Sequence, residues 1–270
     1  MGKWLLIASI LFCSCVRHQI AGRFPNNTAD ETYTGTRFFE LAKSVSWKQR
    51  DSLALDWFSR GAIPGFWKQF SSVTISRKDS LGKKQRLQYW VSPDYFAVGT
   101  NNDWVRVPIT PMAAQQMMDD VQCVFPTRKM VDQVYDAATV KLAPVPMYAF
   151  RDSGITMYQH HLMIEGQRKG KKGLIAGIKK DVAITYKVPY GAKTDRVAIY
   201  GWHQLNGKAI QPLHLGHVNW YVDYSHGIRF VSTTAKMNGK TITIDKVLSD
   251  PSLQSLLCNE DTCGNYRYPQ

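Results

Sequence analysis

A polar and aromatic run at residues 216–229 concentrates side chains that can take part in chemistry. From Val218 to Tyr224 apolar and polar residues partly alternate, which is typical of a half-buried strand. Ser225-His226-Gly227 ends the alternation, and the glycine there permits close approach of another chain or a ligand. The run is therefore predicted to form one wall of a site, with His226 as a general base and Asp223 as the residue that orients it.

The nucleophile predicted for this site is Cys123. Cys13 and Cys15 belong to the N-terminal segment, and the spacing of Cys258 and Cys263 suits a small disulfide loop, which leaves Cys123 alone. An unpaired cysteine in an oxidising compartment is either buried or a nucleophile. Cys123 also precedes a predicted helix N-terminus, whose dipole favours a thiolate. A cysteine hydrolase additionally needs a histidine base and a polar group that orients the imidazole.

Other residues are assigned to the same site as rivals or as substrate contacts. His161 is the rival base, and Asp181 is a second candidate for the orienting residue. Arg106 and Arg229 can hold an anionic group bidentately, although Arg106 can instead pair with Asp103. The remaining predicted substrate contacts are Trp220, Tyr224 and His203.

Six of the seven histidines lie between residues 160 and 226, and this density allows two further interpretations. A zinc hydrolase could take two ligands from His214 and His217, with His203, His226 or Asp223 completing the set. The sequence contains no His-Glu-x-x-His and no Cys-x-x-Cys motif, so no metal or other cofactor is expected. Alternatively, the histidines line a groove, and the protein binds a polymer without cleaving it.

The N-terminus predicts export. Residues 1–15 contain one lysine followed by an apolar run that is too short to span a bilayer, which is typical of a signal peptide. Ser14-Cys15 resembles the end of a bacterial lipobox, although Phe12 stands where leucine is usual. We therefore expect a lipoprotein of the bacterial cell envelope, attached to the membrane through lipid on Cys15.

The formal net charge of +13 predicts an acidic partner. For an exported protein this partner is expected to be an anionic envelope polymer or cell-wall peptide, and nucleic acid is not expected. The basic runs at 168–172 and 179–180 are interpreted as solvated loops and strand edges. The main functional prediction is an envelope hydrolase that acts on an amide bond, and the alternative is a non-catalytic polymer-binding lipoprotein.

The predicted fold is α+β, with a single domain over residues 37–270 that follows a flexible tether at 16–36. Helices are expected over 37–58 and after Thr110 and Pro126, and an antiparallel meander over 72–108. A soft boundary at 141–146 precedes a largely antiparallel β-rich part, which is predicted to include residues 156–165. Asn206-Gly207 and Asn238-Gly239 predict hairpins there. At 270 residues and 44% hydrophobic composition, the chain can bury a substantial core.

Several stretches taken together resemble a family of exported bacterial proteins that has no assigned activity. The resemblance covers most of residues 50–232 and implies one coherent domain, but no mechanism. The stretches that carry it are Pro93–Gly99, Val105–Pro111, Cys123–Asp132, Val197–His203 and Tyr221–Arg229.

The order of a cysteine beside a helix and histidines on a later sheet also resembles papain-like and NlpC/P60-type cysteine peptidases. This resemblance of layout implies amide hydrolysis, with cell-wall peptide as a candidate substrate. Those families place the cysteine in an Asp-Cys-Ser-type motif at a helix start. Here the sequence is Gln122-Cys123-Val124, with Pro126 three residues after the cysteine.

Overall fold

A computed structural model describes residues 20–79, 81–189 and 195–269. In these ranges the chain forms six α-helices and thirteen β-strands. The helices are α1 (Gly35–Ala42), α2 (Trp47–Ser59), α3 (Pro111–Asp120), α4 (Arg128–Ala137), α5 (Gly154–Arg168) and α6 (Ile244–Ser249). The strands are β1 (Ser71–Lys78), β2 (Lys84–Val91), β3 (Ala97–Gly99), β4 (Trp104–Arg106), β5 (Cys123–Val124), β6 (Val140–Lys141), β7 (Ile175–Ala176), β8 (Lys180–Ala183), β9 (Ala198–His203), β10 (Ala209–His214), β11 (His226–Gly227), β12 (Val231–Met237) and β13 (Lys240–Thr243).

The larger sheet joins strands from both ends of the chain. Its order is β1-β2-β12-β13, and β5 also pairs with β12. Because β12 lies between the β1–β2 hairpin and β13, residues on either side of the predicted 141–146 boundary share one sheet. Val231 lies opposite both Val91 and Val124, so three segments that are distant in sequence contribute buried residues to this sheet.

The second sheet carries the chemistry-bearing run. Its order is β10-β9-β8-β11, with β8 and β11 parallel and the other pairs antiparallel. The parallel pair places His226 opposite Lys180 and Gly227 opposite Asp181. Two smaller pairings, the antiparallel β3–β4 hairpin and the parallel β6–β7 pair, complete the strand arrangement of the described ranges.

The predicted α+β class is confirmed, and so are most of its local signals. Helices concentrate in the first part, the β1–β2 and β3–β4 hairpins form the predicted meander, and both Asn-Gly turns join antiparallel strands. Thr110 and Thr127 accept hydrogen bonds from the backbone of Ala113 and Met130, as N-cap residues do. These features are specified by a few neighbouring residues, which explains why the sequence predicts them.

The prediction of strand over residues 156–165 was wrong, because this stretch belongs to helix α5. The Ser153 side chain accepts a hydrogen bond from the backbone N–H of Thr156 and so caps the helix. The buried residues recur at helical spacing along one face. They are Thr156, Met157, His160, His161, Ile164 and Arg168. The helix places both histidines in the interior.

The predicted tether was wrong for the part of it that the structure describes, residues 20–36. Ile20 and Phe24 are buried in the main hydrophobic core. The ring of Phe24 contacts the rings of Phe58, Trp67 and Phe70 at centroid distances of 5.7–6.1 Å. These aromatic contacts fix the segment to the domain, although its polar, turn-rich composition suggested a flexible tether.

The C-terminal segment is attached to the sheets. Cys258 and Cys263 form the predicted disulfide. The Tyr268 hydroxyl donates to the carbonyl of Ala183 and accepts from the backbone N–H of Ala198, which links the tail to β8 and β9. The predicted signal peptide and lipobox lie outside the described residues. Within those residues, every helix is too short or too polar to cross a membrane.

Candidate functional site

Asp223 organises the turn that precedes β11. Its Oδ1 accepts hydrogen bonds from the Ser225 backbone N–H at 2.8 Å and from the Ser225 hydroxyl at 2.6 Å. Its Oδ2 accepts from Nε and Nη2 of Arg151 at 3.1 and 2.9 Å. The Nε2 of His226 lies 3.9 Å from Oδ1 of Asp223. The structure thus places the predicted base and the predicted orienting residue side by side.

Burial and hydrogen bonding set the protonation states of this pair. Burial alone would raise the pKa of Asp223, but His226 and the hydrogen bonds from Ser225 and Arg151 outweigh it and lower that pKa. Burial lowers the pKa of His226 to about 3, although Asp223 opposes this shift. His226 is therefore neutral near pH 7, and among the described residues its buried Nε2 finds no hydrogen-bond partner.

Lys179 extends this group of residues into the interior. Its Nζ lies 3.2 Å from Nδ1 of His160 and donates to the backbone carbonyl of Tyr224. Burial lowers the pKa of Lys179 to about 7, and the nearby Arg106 adds to the effect. Burial and Lys179 together lower the pKa of His160 to about 2. The imidazole of His160 is therefore a neutral partner for the ammonium group.

Lys180 differs from Lys179 in its hydrogen bonding. The residue is only 7% exposed, and its Nζ lies 5.0 Å from the centroid of the Trp202 ring. Across the described part of the chain, this Nζ has no hydrogen-bond acceptor and no carboxylate in an ion pair. Burial lowers its pKa, and the charge of Asp223 opposes that shift. The interpretation of residues 179–180 as a solvated strand edge was therefore wrong.

The surface above Lys180 and Asp223 is formed by imidazole and aromatic rings. The half-buried ring of His217 lies 5.5 Å from the ring of His226 and stacks at 4.7 Å on Tyr221. The exposed ring of His214 lies 4.9 Å from the ring of His217, on its outer side. Trp220 is 49% exposed and stacks on Trp47, which begins helix α2.

A second exposed aromatic segment adjoins the same surface. Tyr148 and Phe150 are 89% and 81% exposed and stand next to Arg151 in sequence. The segment is held in place by Tyr224, whose backbone N–H donates to the carbonyl of Arg151 and whose hydroxyl bonds the backbone of Met147. Tyr224 is fully buried, so it supports the surface and does not contact solvent.

Arg106 belongs to a separate, fully paired network. Its guanidinium donates to both carboxylate oxygens of Asp94 and to Oε1 of Glu165 at 2.6–2.8 Å. His161 lies against the same guanidinium, and burial together with Arg106 holds its pKa well below the usual value. Asp103 instead bonds the backbone and hydroxyl of Thr36 near the start of α1. Arg106 is therefore positioned to hold the interior together and not to contact a substrate.

Asp181 and Arg229 form another interior pair. Asp181 accepts a hydrogen bond from the Tyr95 hydroxyl at 2.7 Å and lies 3.6 Å from Nε of Arg229. Burial raises the pKa of Asp181 to about 6, although Arg229 opposes this shift. Arg229 donates to the carbonyls of Ser92 and Ile175 and has no exposed surface. Its hydrogen bonds tie together three segments of backbone, which is a structural role.

His203 is also placed apart from His226. Its Nε2 lies 2.9 Å from Oδ1 of Asp132, and its ring stacks at 4.5 Å on Tyr135. The same Asp132 oxygen accepts from the Tyr200 hydroxyl at 2.9 Å. This group joins α4 to β9. His203 therefore does not add a ligand or a base to the site at Asp223.

The structure does not bring Cys123 to the predicted base. Cys123 lies in β5 of the larger sheet and pairs with Ser232, whereas His226 lies in the second sheet. The residue is 2% exposed, and burial raises the pKa of its thiol well above the usual value. A cavity of about 320 Å³ lies beside it, but its lining, as far as the structure describes it, contains no histidine. Such a thiol stays protonated at neutral pH and is poorly suited to nucleophilic attack.

The imidazoles do not form a metal centre as they stand. No group of three or more histidine, cysteine or carboxylate side chains within the described ranges converges closely enough to hold an ion. His214, His217 and His226 follow one another from the surface inward, and their neighbouring rings meet in edge-on and tilted arrangements, with centroids 4.9 and 5.5 Å apart. Arg151, Lys179 and Lys180 also surround Asp223 with positive charge, which opposes a second cation.

Sequence reasoning missed four residues that complete the site. They are Arg151, His160, Lys179 and Lys180. Arg151 binds Asp223 from a loop 72 positions away in sequence. Lys180 comes close to the turn only because the pairing of β8 and β11 places it opposite His226. One signal was available for the lysines, because Lys179-Lys180 directly precedes an apolar strand pattern that ends in Ile184.

Comparisons with known proteins identify no relative. No protein-family model matches the chain, and neither characterised proteins nor solved structures give a match. The resemblance to exported bacterial proteins therefore stays a prediction.

Proposed function

We propose that the protein is an exported, lipid-anchored envelope protein that binds an anionic envelope polymer. In this proposal an anionic group of the polymer binds between Lys180, Arg151 and His217. Export and the lipid anchor rest on the sequence of residues 1–15, and the binding site rests on the geometry around Asp223.

The observation that carries the proposal is the unpaired ammonium group of Lys180. The residue is mostly buried, and a charge that loses part of its water without gaining a hydrogen bond in return costs free energy. Lys180 is 7% exposed, which leaves its Nζ within reach of a ligand at the surface. An oxyanion placed there would supply the missing acceptor.

Neighbouring side chains add further recognition. Arg151 uses Nε and Nη2 on Asp223, and a guanidinium has five N–H donors, so others remain for a ligand. Its side chain is 38% exposed. The rings of Trp220, Tyr148 and Phe150 are exposed and offer apolar faces to a ligand, and aromatic side chains combine large contact area with limited loss of conformational freedom.

The net charge of the whole chain supports the same partner. At +13, the protein attracts a polyanion over distances greater than a single contact, and this attraction weakens as salt increases. The contribution of Lys180 should be less sensitive to salt, because a mostly buried charge is screened less than an exposed one.

The test measures retention of the purified protein on purified anionic cell-wall material over a series of salt concentrations. Lys180→Gln should weaken binding by at least about tenfold, since a hydrogen bond to a charged group contributes about 1.5–3 kcal/mol. The matched control, Lys172→Gln, removes the same charge from an exposed position and should change affinity little. Equal affinity of wild type and Lys180→Gln, or equal losses in both variants, would contradict the proposal.

Amide hydrolysis at the same site is the second candidate, because the neutral imidazole of His226 lies beside Asp223 and its Nε2 has no hydrogen-bond partner within the described ranges. The incubations above can be assayed for released amine groups. Release that is lost in His226→Asn and kept in Cys123→Ala would support hydrolysis without the cysteine. Loss in Cys123→Ala would restore the cysteine mechanism, and no release by the wild type would leave binding alone.

A further inference from the structure

A buried guanidinium without hydrogen bonds lies on helix α2. Arg50 is 5% exposed, and in the part of the chain that the structure describes its Nε and Nη2 have no hydrogen-bond partner. The residue shares the buried face of the helix with Ala54 and Trp57, so its side chain is held in the interior by the packing of α2. Among the residues that the structure describes, no side chain forms an ion pair with this guanidinium. Buried arginines normally donate several hydrogen bonds, so the donors of Arg50 require an explanation.

The guanidinium lines a narrow crevice between α1, α2, β4 and α5. The crevice is partly open to solvent, and the space in it that the centre of a water-sized group can occupy is about 20 Å³, enough for one such group. Apolar side chains form most of the walls, and they include Phe38, Ala42, Val107 and Met157. Arg106 also borders the crevice, but its donors are taken by Asp94 and Glu165. Arg50 is therefore the cation that is available to a group in the crevice.

The carboxylates near Arg50 do not satisfy it. Asp51 accepts hydrogen bonds from the backbone N–H and the hydroxyl of Thr110, which fixes it toward the start of α3. Burial lowers the pKa of Arg50, and the charges of Asp51 and Asp152 oppose that shift. These carboxylates therefore favour the charged state of Arg50 from a distance, while its Nε and Nη2 still lack acceptors among the described residues.

We infer that the crevice is an oxyanion site, which takes the terminal oxygen of a carboxylate or phosphate group that enters from the surface. The small volume excludes a whole sugar ring or side chain, and the apolar walls strengthen a hydrogen bond from Arg50 by excluding water. Gly154 lines the crevice, and Arg151, three positions earlier, binds Asp223. One anionic ligand can thus reach both this crevice and the site at Lys180, but the inference does not depend on polymer binding there.

The glycine at position 154 keeps the entrance side of the crevice narrow. A Cβ atom built on Gly154 would lie 2.8 Å from the carbonyl oxygen of Ala42 and from the Cα of Lys43. Such contacts are too close for a carbon atom, so a larger residue would separate α5 from the end of α1. The close packing at this point therefore helps to hold Arg50 in a crevice of fixed width.

The test uses sodium propionate, inorganic phosphate and sodium chloride at equal ionic strength. Two signals are followed in the full-length protein, namely the thermal unfolding midpoint and the ¹⁵N–¹H resonance of the Arg50 Nε–H group. That resonance is assigned by its absence from Arg50→Met. Propionate or phosphate should raise the midpoint above the value in chloride and move the Arg50 resonance, because a ligand that binds only the native state stabilises it.

Arg50→Met should abolish the difference in midpoint between the oxyanions and chloride. This variant replaces a buried charge by an apolar chain of similar length, a change that is often tolerated. Arg37→Met, at an exposed position of α1, serves as the matched control and should keep the difference. Lys180→Gln should also keep it, which separates this site from the proposed polymer site.

Several results would overturn the inference. The Arg50 resonance could fail to move with either oxyanion, or the oxyanion effect on the midpoint could persist in Arg50→Met. Equal shifts in chloride and in the oxyanions would instead assign the crevice to a water molecule or a monatomic ion. If Arg50→Met does not fold, Arg50→Lys is used in its place. The lysine ammonium lacks the planar, forked set of N–H donors of a guanidinium, so this variant should show a smaller shift of the midpoint.

Discussion

The buried cations of this protein differ in how completely their donors are used. Arg106 donates to Asp94 and Glu165, and Arg229 donates to two backbone carbonyls. The Nε of Arg229 forms no hydrogen bond within the described ranges, but it lies 3.6 Å from a carboxylate oxygen of Asp181. Both guanidinium groups thus have charged or backbone partners, and they connect segments that are distant in sequence. Arg50 and Lys180 are also mostly buried, yet within the described ranges Nε and Nη2 of Arg50 have no hydrogen-bond partner and Lys180 has no carboxylate in an ion pair. Because an unpaired buried charge destabilises the folded state, Arg50 and Lys180 mark the positions where a bound ligand would stabilise the folded state most. Residue type alone does not distinguish these two groups.

The position of Cys123 leads to a first prediction, which concerns thiol reactivity. The thiol is buried and protonated, so native protein should react with a disulfide reagent at pH 8 far more slowly than a small-molecule thiol. After addition of denaturant, one thiol per molecule should react in protein prepared without Cys13 and Cys15. The measurement is the rate of thiolate release by absorbance. Complete labelling of native protein at the rate of a free thiol would show that Cys123 is accessible, and Cys123→Ala provides the blank.

The sequence indicates some of the site residues and not others for a simple geometric reason. Asp223, Ser225 and His226 lie within one turn, so their proximity follows from local chain geometry. Lys180 joins them only because β8 and β11 pair in parallel, and Arg151 only because its loop packs on the turn. Contacts of this kind depend on the whole fold. A pattern of residue types along the chain does not contain them.

At the scale of elements, helix α5 shows how a helix with apolar residues on its exposed face can be mistaken for a strand. Its sequence is apolar or aromatic on much of its surface, so the polar face that normally reveals helical periodicity is weak. The signals that remain are its ends. Ser153 caps the first turn, and Lys169 closes the last turn in the left-handed conformation, followed by Gly170. End signals therefore identify this helix better than its interior does.

The N-terminal segment leads to a second prediction, which concerns stability. Phe24→Ala should lower the free energy of unfolding by about 3–5 kcal/mol, because it removes a buried aromatic ring and leaves a cavity. Phe24 packs on Phe58, Trp67 and Phe70, which cannot all move to fill the space. The measurement is urea unfolding monitored by tryptophan fluorescence. Tyr148→Ala, at an 89% exposed aromatic position, is the control and should change the free energy by less than about 0.5 kcal/mol.

A flexible tether makes the opposite prediction for the same pair of variants. If residues 20–34 had no fixed contact with the domain, Phe24→Ala and Tyr148→Ala would both be neutral. The comparison therefore decides whether this segment belongs to the cooperative unit. It also affects the proposed lipoprotein, since a docked segment holds the domain closer to its anchor than a free chain of the same length does.

At the scale of the whole molecule, local signals predict the class of the fold but not its assembly. The hairpins and helix caps are encoded within a few residues, and the structure confirms them. The placement of β12 between β2 and β13, with β5 pairing on the same strand, joins segments more than a hundred residues apart. Such pairing is set by the burial of all strands together. The soft boundary expected at 141–146 accordingly does not divide the sheet.

The buried polar interior leads to a last prediction, which concerns the pH dependence of stability. The pKa of His226 is about 3 in the folded protein and that of His160 about 2, whereas an unperturbed histidine has a pKa of about 6.5. Below pH 6.5 the unfolded chain therefore binds more protons than the native state, so stability falls as the pH is lowered. Between pH 7 and pH 5, each histidine should account for a loss of about 2 kcal/mol. Asp181 acts in the opposite direction below about pH 6, because its folded pKa is raised to about 6, and it offsets part of this loss.

The measurement is the free energy of urea unfolding at pH 7 and at pH 5 for the wild type, His226→Asn and His214→Asn. His226→Asn should show a smaller loss on acidification than the wild type, by about 2 kcal/mol. His214→Asn changes an exposed imidazole next to the same site and should leave the loss unchanged. Identical losses in all three proteins would mean that His226 gains a proton as readily in the folded state as in the unfolded state. In that case its imidazole would be open to water, and the interior around Asp223 would be more accessible than its burial implies.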